Sequence, residues 1–230
     1  LGDVYKRQIF GSTKKFLKNY DDAIHSFSHC LPNTWHLMSV MLSCTSNVNW
    51  FINTFESSID EISKCLKESM SSEASMNNSP YYLPYLTGER TPLNDPHVRA
   101  SFHNMGIETD RKTLAYSLIE GISFGLFDNY QALSKTGIKL NNLFVIGGGS
   151  KNKDWIKLLA STLDRDLAIT EASDAMAAYG AARLAYLGFN NLKHQNVLKP
   201  PLVKEIIKKD NNMKSILEDR FDCWKKYYAK

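Results

Sequence analysis

The stretch LFVIGGGS, residues 143–150, predicts a hydrophobic β-strand that ends in a glycine turn. Leu143–Ile146 is a continuous apolar run, which is typical of a strand covered on both faces. A helix follows, then a second strand at Asp166–Thr170, and then a helix of small residues that Asp174 is predicted to cap. This order predicts a parallel α/β unit with right-handed crossover connections.

The glycine turn is the first candidate site. Gly147, Gly148 and Gly149 carry no Cβ, so a ligand can approach backbone N–H groups at the positive end of the following helix. One interpretation is a nucleoside site in which Asn152 binds the base. A second is a dinucleotide site with Glu171 as its acidic residue, but Asn152 stands where that fingerprint needs Gly or Ala. A third is a turn that serves packing only.

Upstream of this unit, the hydrophobic pattern predicts a hairpin and three helices. The hairpin pairs Ile24–Cys30 with Trp35–Met41. Two helices follow, around residues 48–55 and, after Ser58, 59–70; Ser71–Ser79 is predicted to be an exposed loop, and Tyr81–Leu86 a short strand. The longest helix begins at Asp110 and ends near Gly137. Gly121 and Gly125 lie on one face of it, which predicts the close approach of another backbone.

The loop TGERTP, residues 87–92, is the second candidate site. Gly88 shapes the turn, and Glu89 and Arg90 follow it. In one interpretation they present a charge pair to a cleft, where Arg90 would favour phosphate oxygens. In the other they form a solvated pair of small energetic value.

The composition narrows the class of protein. The 230 residues are 43% hydrophobic and 23% charged with a net charge of +4, which predicts a globular protein with neither a nucleic-acid nor a membrane partner. Four cysteines without CxxC spacing favour a reducing, cytoplasmic location. His25, His29 and His36 lack the spacing of metal ligands, so no metal site is predicted.

The two ends of the chain are predicted to differ from its middle. Leu1–Gln8 has no clear pattern and is predicted to be a leader foreign to the protein. Residues 196–230 are predicted to form a Lys-rich amphipathic helix beyond Pro200-Pro201, with an apolar side made of Ile206, Ile207, Met213, Ile216, Leu217 and Trp224.

Four blocks, in order, resemble the FGGY family of carbohydrate kinases, and the xylulose kinases most. They are HSFSHCLP with WHLMSVML (25–32 and 35–42), LPYLTGERTP (83–92), VIGGGS (145–150) and GAARLA (180–185). The resemblance implies an actin-like (ribonuclease H-like) α/β fold of two domains with a cleft between them. Residues 9–195 would form the C-terminal, ATP-binding domain.

The resemblance also implies the chemistry. The family phosphorylates a sugar with ATP and Mg²⁺, and D-xylulose is the expected substrate, with ribulose, gluconate or glycerol as alternatives. Adenosine would lie at Gly148 and Asn152, with Gly147 and Gly149 as neighbours, and a homodimer is possible. The catalytic Asp and most sugar contacts belong to a part of the family's sequence that is absent here, so this chain alone is expected to be inactive. A non-catalytic actin-like nucleotide-binding module is the alternative from another class.

Overall fold

The computed structural model describes residues 8–17, 23–171, 175–191 and 198–228. The helices there are α1 (Cys44–Thr54), α2 (Ile59–Met70), α3 (Glu73–Asn78), α4 (Arg111–Lys135), α5 (Lys153–Leu163), α6 (Met176–Phe189) and α7 (Asn211–Lys225). The strands are β1 (Gln8–Thr13), β2 (His25–Ser28), β3 (Trp35–Val40), β4 (Tyr81–Leu83), β5 (Ser101–His103), β6 (Phe144–Val145), β7 (Leu167–Thr170) and β8 (Val203–Ile207). Asp174, the predicted cap of α6, lies outside the described residues.

Three small sheets surround a long central helix. The strand orders are β1-β3-β2, β4-β5 and β6-β7-β8. The predicted hairpin is confirmed, since β2 and β3 pair antiparallel, and β1 adds to the other edge of β3. The predicted parallel pairing of the later strands is also confirmed, between β6 and β7.

Helix α4 forms the centre of the molecule and packs against α1, α2, α5, β3 and β4. Its start is fixed by a capping box, in which the Asp110 carboxylate accepts the Thr113 N–H at 2.8 Å and the Thr113 hydroxyl accepts the Asp110 N–H. The expected close approach is confirmed at Gly121, where an added Cβ would lie 2.2 Å from the Tyr82 carbonyl oxygen. The glycine therefore lets strand β4 lie directly on the helix.

Three predictions are corrected. Ser71–Ser79 is not a loop, because Ser72 accepts the Ser75 N–H and starts α3. The C-terminal segment is not one helix, because Ile206 and Ile207 lie in β8, which pairs antiparallel with β7. The apolar run before the glycine turn is not covered on both faces: β6 is two residues long, and Phe144 and Ile146 are 41% and 44% exposed.

Candidate functional site

A cleft of about 1010 Å³ runs along the glycine turn and between α1, α2, α4 and the open side of β6. Several parts of the chain line it. The glycine turn and the two helices α1 and α2 contribute Thr45, Val48, Asn49, Ile59, Ile62, Ser63, Gly147, Gly148, Gly149, Lys151 and Asn152. The strands β1, β6 and β7, with the residues next to β6 and helix α5, contribute Gln8, Ile9, Leu143, Phe144, Val145, Ile146, Ile156, Leu159, Leu163 and Leu167.

The glycine turn is built by its own backbone. Gly147 has a φ of +91°, a conformation that L side chains rarely adopt. The Ser150 N–H donates to the Gly147 carbonyl at 3.1 Å, and the Asn152 N–H donates to the Gly149 carbonyl at 3.2 Å, which closes a short 3₁₀ turn. Helix α5 starts directly after it, so its N-terminal end points into the cleft.

The three glycines differ in what a side chain would meet. A Cβ at Gly149 would lie 3.2 Å from the Trp155 ring. A Cβ at Gly147 or Gly148 would meet no heavy atom of the described residues within 4 Å, the two chain neighbours aside. Gly147 is still required by its φ, whereas neither φ nor packing requires a glycine at Gly148. A turn that serves packing alone therefore does not account for Gly148.

Asn152 fixes the turn to the opposite wall of the cleft. Its Oδ1 accepts the Trp155 N–H at 3.0 Å and so caps α5, and its Nδ2 donates to Ser63 Oγ of α2 at 2.9 Å. The predicted contact between Asn152 and a base remains a prediction. Ser63 was not among the predicted site residues, because it lies 89 residues from Asn152 and only the fold brings the two together.

The wall opposite the turn is apolar. Val48 of α1 and Ile62 of α2 are buried there, and Ile59 is exposed toward solvent at the N-terminal end of α2. Apolar walls with a few polar groups are typical of sites for flat organic ligands. Lys151, the last residue of the 3₁₀ turn, brings a positive charge to the cleft. The space beside the turn can thus hold an aromatic base and attract an anion.

In the GERTP loop, Glu89 is buried and binds backbone N–H groups. This side chain is 2% exposed, and its Oε1 accepts the Leu42 N–H at 2.9 Å and the Arg90 N–H at 2.7 Å. Gly88 has a φ of +81°, and an added Cβ would lie 2.8 Å from the backbone of Pro96. Glu89 therefore joins the loop to the segment after β3, and the solvated pair is wrong for this residue.

Arg90, the next residue, is half-buried. Its Nη1 donates to Asn94 Oδ1 at 2.8 Å. Burial lowers the pKa of His25, and the positive charge of Arg90 lowers it further, which places the guanidinium near β2. Gly88, Glu89 and Arg90 are not among the residues that line the cleft, so the structure does not bring the two candidate sites together in one pocket.

The described residues contain neither a metal cluster nor a membrane-spanning helix. Residues 8–17, 23–171, 175–191 and 198–228 contain no group of three or more His, Cys, Asp or Glu side chains arranged to hold a metal ion. Among the same residues, no helix has both the length and the apolar character needed to cross a membrane.

Comparisons with known proteins agree with each other. The C-terminal domain of the FGGY family of carbohydrate kinases matches residues 8–189. The xylulose kinase of Escherichia coli K12 is 33% identical over 196 residues, which is 85% of this chain and 40% of that protein. The xylulose kinase of Staphylococcus xylosus is 31% identical over 211 residues, 90% of this chain and 43% of that protein. The chain thus spans about two fifths of the length of these relatives.

Solved structures match over nearly the whole chain. A xylulose kinase from Brucella ovis superposes with a TM-score of 0.86 at 31% identity, covering 96% of this chain and 45% of that one. A glycerol kinase from Plasmodium falciparum, solved with ADP, shares the fold with a TM-score of 0.77 at 18% identity, covering 97% of this chain and 45% of that one. The predicted fold class, an actin-like α/β domain, is confirmed by these matches.

Proposed function

The chain belongs to the FGGY family of carbohydrate kinases, whose C-terminal domain it carries, and we propose that it is the ATP-binding part of an enzyme that phosphorylates a sugar. The reaction transfers the γ-phosphoryl group of ATP to a sugar hydroxyl and releases ADP. D-Xylulose is the proposed acceptor, because the curated relatives at 33% and 31% identity are both xylulose kinases.

The observation that carries the nucleotide assignment is the open space at Gly148. Apart from its two chain neighbours, no described residue has a heavy atom within 4 Å of a Cβ built there, and the backbone does not need a glycine. A bound molecule that touches the main chain would explain the residue. The neighbouring helix end, the apolar wall with Ile62 and the charge of Lys151 fit the base, ribose and phosphates of a nucleotide.

This chain would contribute binding and orientation, and the remaining part of the enzyme would contribute the chemistry. The wall beside Ile62 would exclude water from the base, and the start of α5 would favour the anionic phosphates. The described residues offer no carboxylate cluster for Mg²⁺, so the ion would be held by the phosphates and by groups outside this chain. The sugar hydroxyl would likewise lose its proton to a group outside this chain.

The test is the substitution Gly148→Val in the longer protein that contains this chain. The valine fits the free protein but fills the space beside the turn, so the affinity for ATP should fall at least about tenfold, roughly 1.4 kcal/mol. Gly106→Val is the matched control, because a Cβ at Gly106 also meets nothing within 4 Å but the residue lies outside the cleft. Isothermal titration calorimetry with ATP, and circular dichroism for folding, measure both variants.

Equal ATP affinity in the wild-type protein and Gly148→Val would contradict the proposal. Binding of NAD in place of ATP at the turn would favour an oxidoreductase. Steady-state assays of the longer protein with D-xylulose, ribulose, gluconate and glycerol then identify the sugar. If the protein binds ATP but turns over none of these four compounds, it is a non-catalytic nucleotide-binding module.

A further inference from the structure

A series of hydrogen bonds joins Asn152, just after the glycine turn, to helix α2 across the cleft. Asn152 Nδ2 donates to Ser63 Oγ at 2.9 Å, and Ser63 Oγ donates to the Ile59 carbonyl oxygen at 2.7 Å. The other end of the amide is held by α5, since Asn152 Oδ1 accepts the Trp155 N–H at 3.0 Å. These residues all line the cleft, so the bonded series lies in the wall of the proposed nucleotide site.

The direction of each bond in this series is fixed. The Ser63 hydroxyl has one hydrogen, which it donates to Ile59, so toward Asn152 it can only accept. The backbone N–H of Trp155 can only donate. The Asn152 amide therefore turns its NH₂ group toward Ser63 and its oxygen toward Trp155. A flipped amide would lose the bond to Trp155, and Ser63 could bond to it only by giving up Ile59.

A fixed amide presents a fixed pattern of hydrogen-bonding groups to a ligand in the cleft. The two bonds use one N–H of Nδ2 and one lone pair of Oδ1, and each of these atoms has a second. Asn152 can thus offer a donor and an acceptor together. Adenine carries the complementary pair, the acceptor N7 beside the N6 amino donor, whereas guanine carries two acceptors, N7 and O6. The held amide oxygen would attract the adenine amino group and repel guanine O6.

We propose that Ser63 is a positioning residue that, by holding the Asn152 amide, makes the cleft select adenine over guanine nucleotides. The inference rests on the proposed function and adds the choice of base to it. Ser63 acts through Asn152, because its hydroxyl already donates one bond and accepts another within the protein. A serine that only joined α2 to the turn would affect stability but would not affect the choice of base.

The test compares Ser63→Ala and Ser63→Thr in the longer protein that contains this chain, by isothermal titration calorimetry with ATP and GTP. The wild-type protein should bind ATP at least about tenfold more tightly than GTP, which is within the range of one bidentate base contact. Ser63→Ala should reduce this preference at least about fivefold. Ser63→Thr should restore it, since a threonine hydroxyl on a helix can also bond the carbonyl four residues earlier.

Ser134→Ala is the matched control. Ser134 Oγ donates to the Tyr130 carbonyl at 2.8 Å, which is the same bond to the carbonyl four residues earlier, and Ser134 does not line the cleft. This variant should keep the wild-type affinities for both nucleotides. Circular dichroism should show that both alanine variants are folded, because alanine favours a helix more than serine does.

The analogue 7-deaza-ATP provides a second measurement. It has a carbon in place of N7 and so lacks the acceptor for the Asn152 N–H. The wild-type protein should bind it at least about fivefold more weakly than ATP. In Ser63→Ala the two affinities should differ less than in the wild-type protein, because the amide is no longer held toward N7.

These measurements distinguish failure of the inference from failure of the proposed function. If the wild-type protein binds ATP but shows no preference over GTP, or if Ser63→Ala keeps both wild-type preferences, the positioning role of Ser63 is wrong and the nucleotide site stands. If the wild-type protein binds no ATP, the proposed function is wrong and the inference fails with it.

Discussion

A single hydrogen atom in place of a side chain decides how closely β4 can approach α4. At Gly121 a Cβ would stand 2.2 Å from the Tyr82 carbonyl oxygen, which no small shift can accommodate because the atom belongs to the backbone. The helical spacing of Gly121 and Gly125 was enough to predict this approach from sequence. The identity of the approaching strand was not readable, since Tyr82 lies in a different part of the chain.

Gly121→Ala should destabilise the folded chain by about 1–3 kcal/mol, because the added methyl group forces the helix and strand apart. Gly180→Ala is the matched control in α6, where a Cβ meets nothing within 4 Å. That change should stabilise the chain by about 0.5–1 kcal/mol, since alanine loses less backbone entropy in a helix. Urea denaturation followed by circular dichroism compares them, and equal stability of the two variants would contradict the packing described for Gly121.

The hydrogen-bond partners of Glu89 could not be predicted from its neighbours in the sequence. The sequence places a carboxylate beside an arginine on a turn, and both a cleft pair and a solvated pair fit that pattern. The residue instead accepts the N–H of Leu42, which is 47 positions away. A pattern of neighbouring residues does not indicate a hydrogen-bond partner so far away in the sequence. By contrast, the glycine turn could be predicted because its chemistry lies in consecutive residues.

At the scale of elements, long periodic helices were predictable and short segments were not. Helix α4 carries apolar residues at regular spacing and an N-terminal Asp110, so its limits follow from the sequence. Helix α3 has six residues, of which Met76 alone is buried, and its one serine and two asparagines are typical of a loop. Strand β8 was predicted as part of a helix because the short apolar run Ile206-Ile207 fits either period.

Helix α7 is joined to the core by a buried ion pair. Arg220 Nε and Nη2 each donate to the Glu120 carboxylate at 2.6 Å, and both side chains are at most 3% exposed. The guanidinium also donates to the backbone carbonyls of Asn77, Ser79 and Pro80. The arginine thereby connects α7, α4 and the segment before β4.

Arg220→Met should destabilise the chain by about 3–5 kcal/mol, because it leaves the Glu120 charge buried without its partner. Lys153→Met is the control, since Lys153 pairs with Glu205 at the surface and its side chain is 65% exposed. Its loss should cost about 0–1 kcal/mol. Thermal and urea denaturation measure both variants, and a similar small effect of the two would show that the buried pair does not hold α7.

At the scale of the whole molecule, the proposed function assigns nucleotide binding to this chain and the phosphoryl transfer to a longer polypeptide that contains it. The cleft brings together the open space at Gly148, the apolar side chain of Ile62 and the positive charge of Lys151, yet the described residues hold no cluster of carboxylates that could bind a metal ion.

The last prediction follows from this separation: the 230-residue chain alone should release no ADP in response to D-xylulose, even with ATP and Mg²⁺ in excess. Phosphoryl transfer needs the acceptor hydroxyl held in line with the γ-phosphate, and holding two reactants in place contributes about 7–11 kcal/mol to catalysis. A chain that orients the nucleotide but not the sugar forfeits that contribution. A coupled assay for ADP compares the turnover of this chain with that of the longer protein at equal concentration. The lost positioning predicts a drop in sugar-dependent turnover far larger than about a hundredfold. Turnover by this chain within about a hundredfold of that of the longer protein would place the catalytic groups inside this chain.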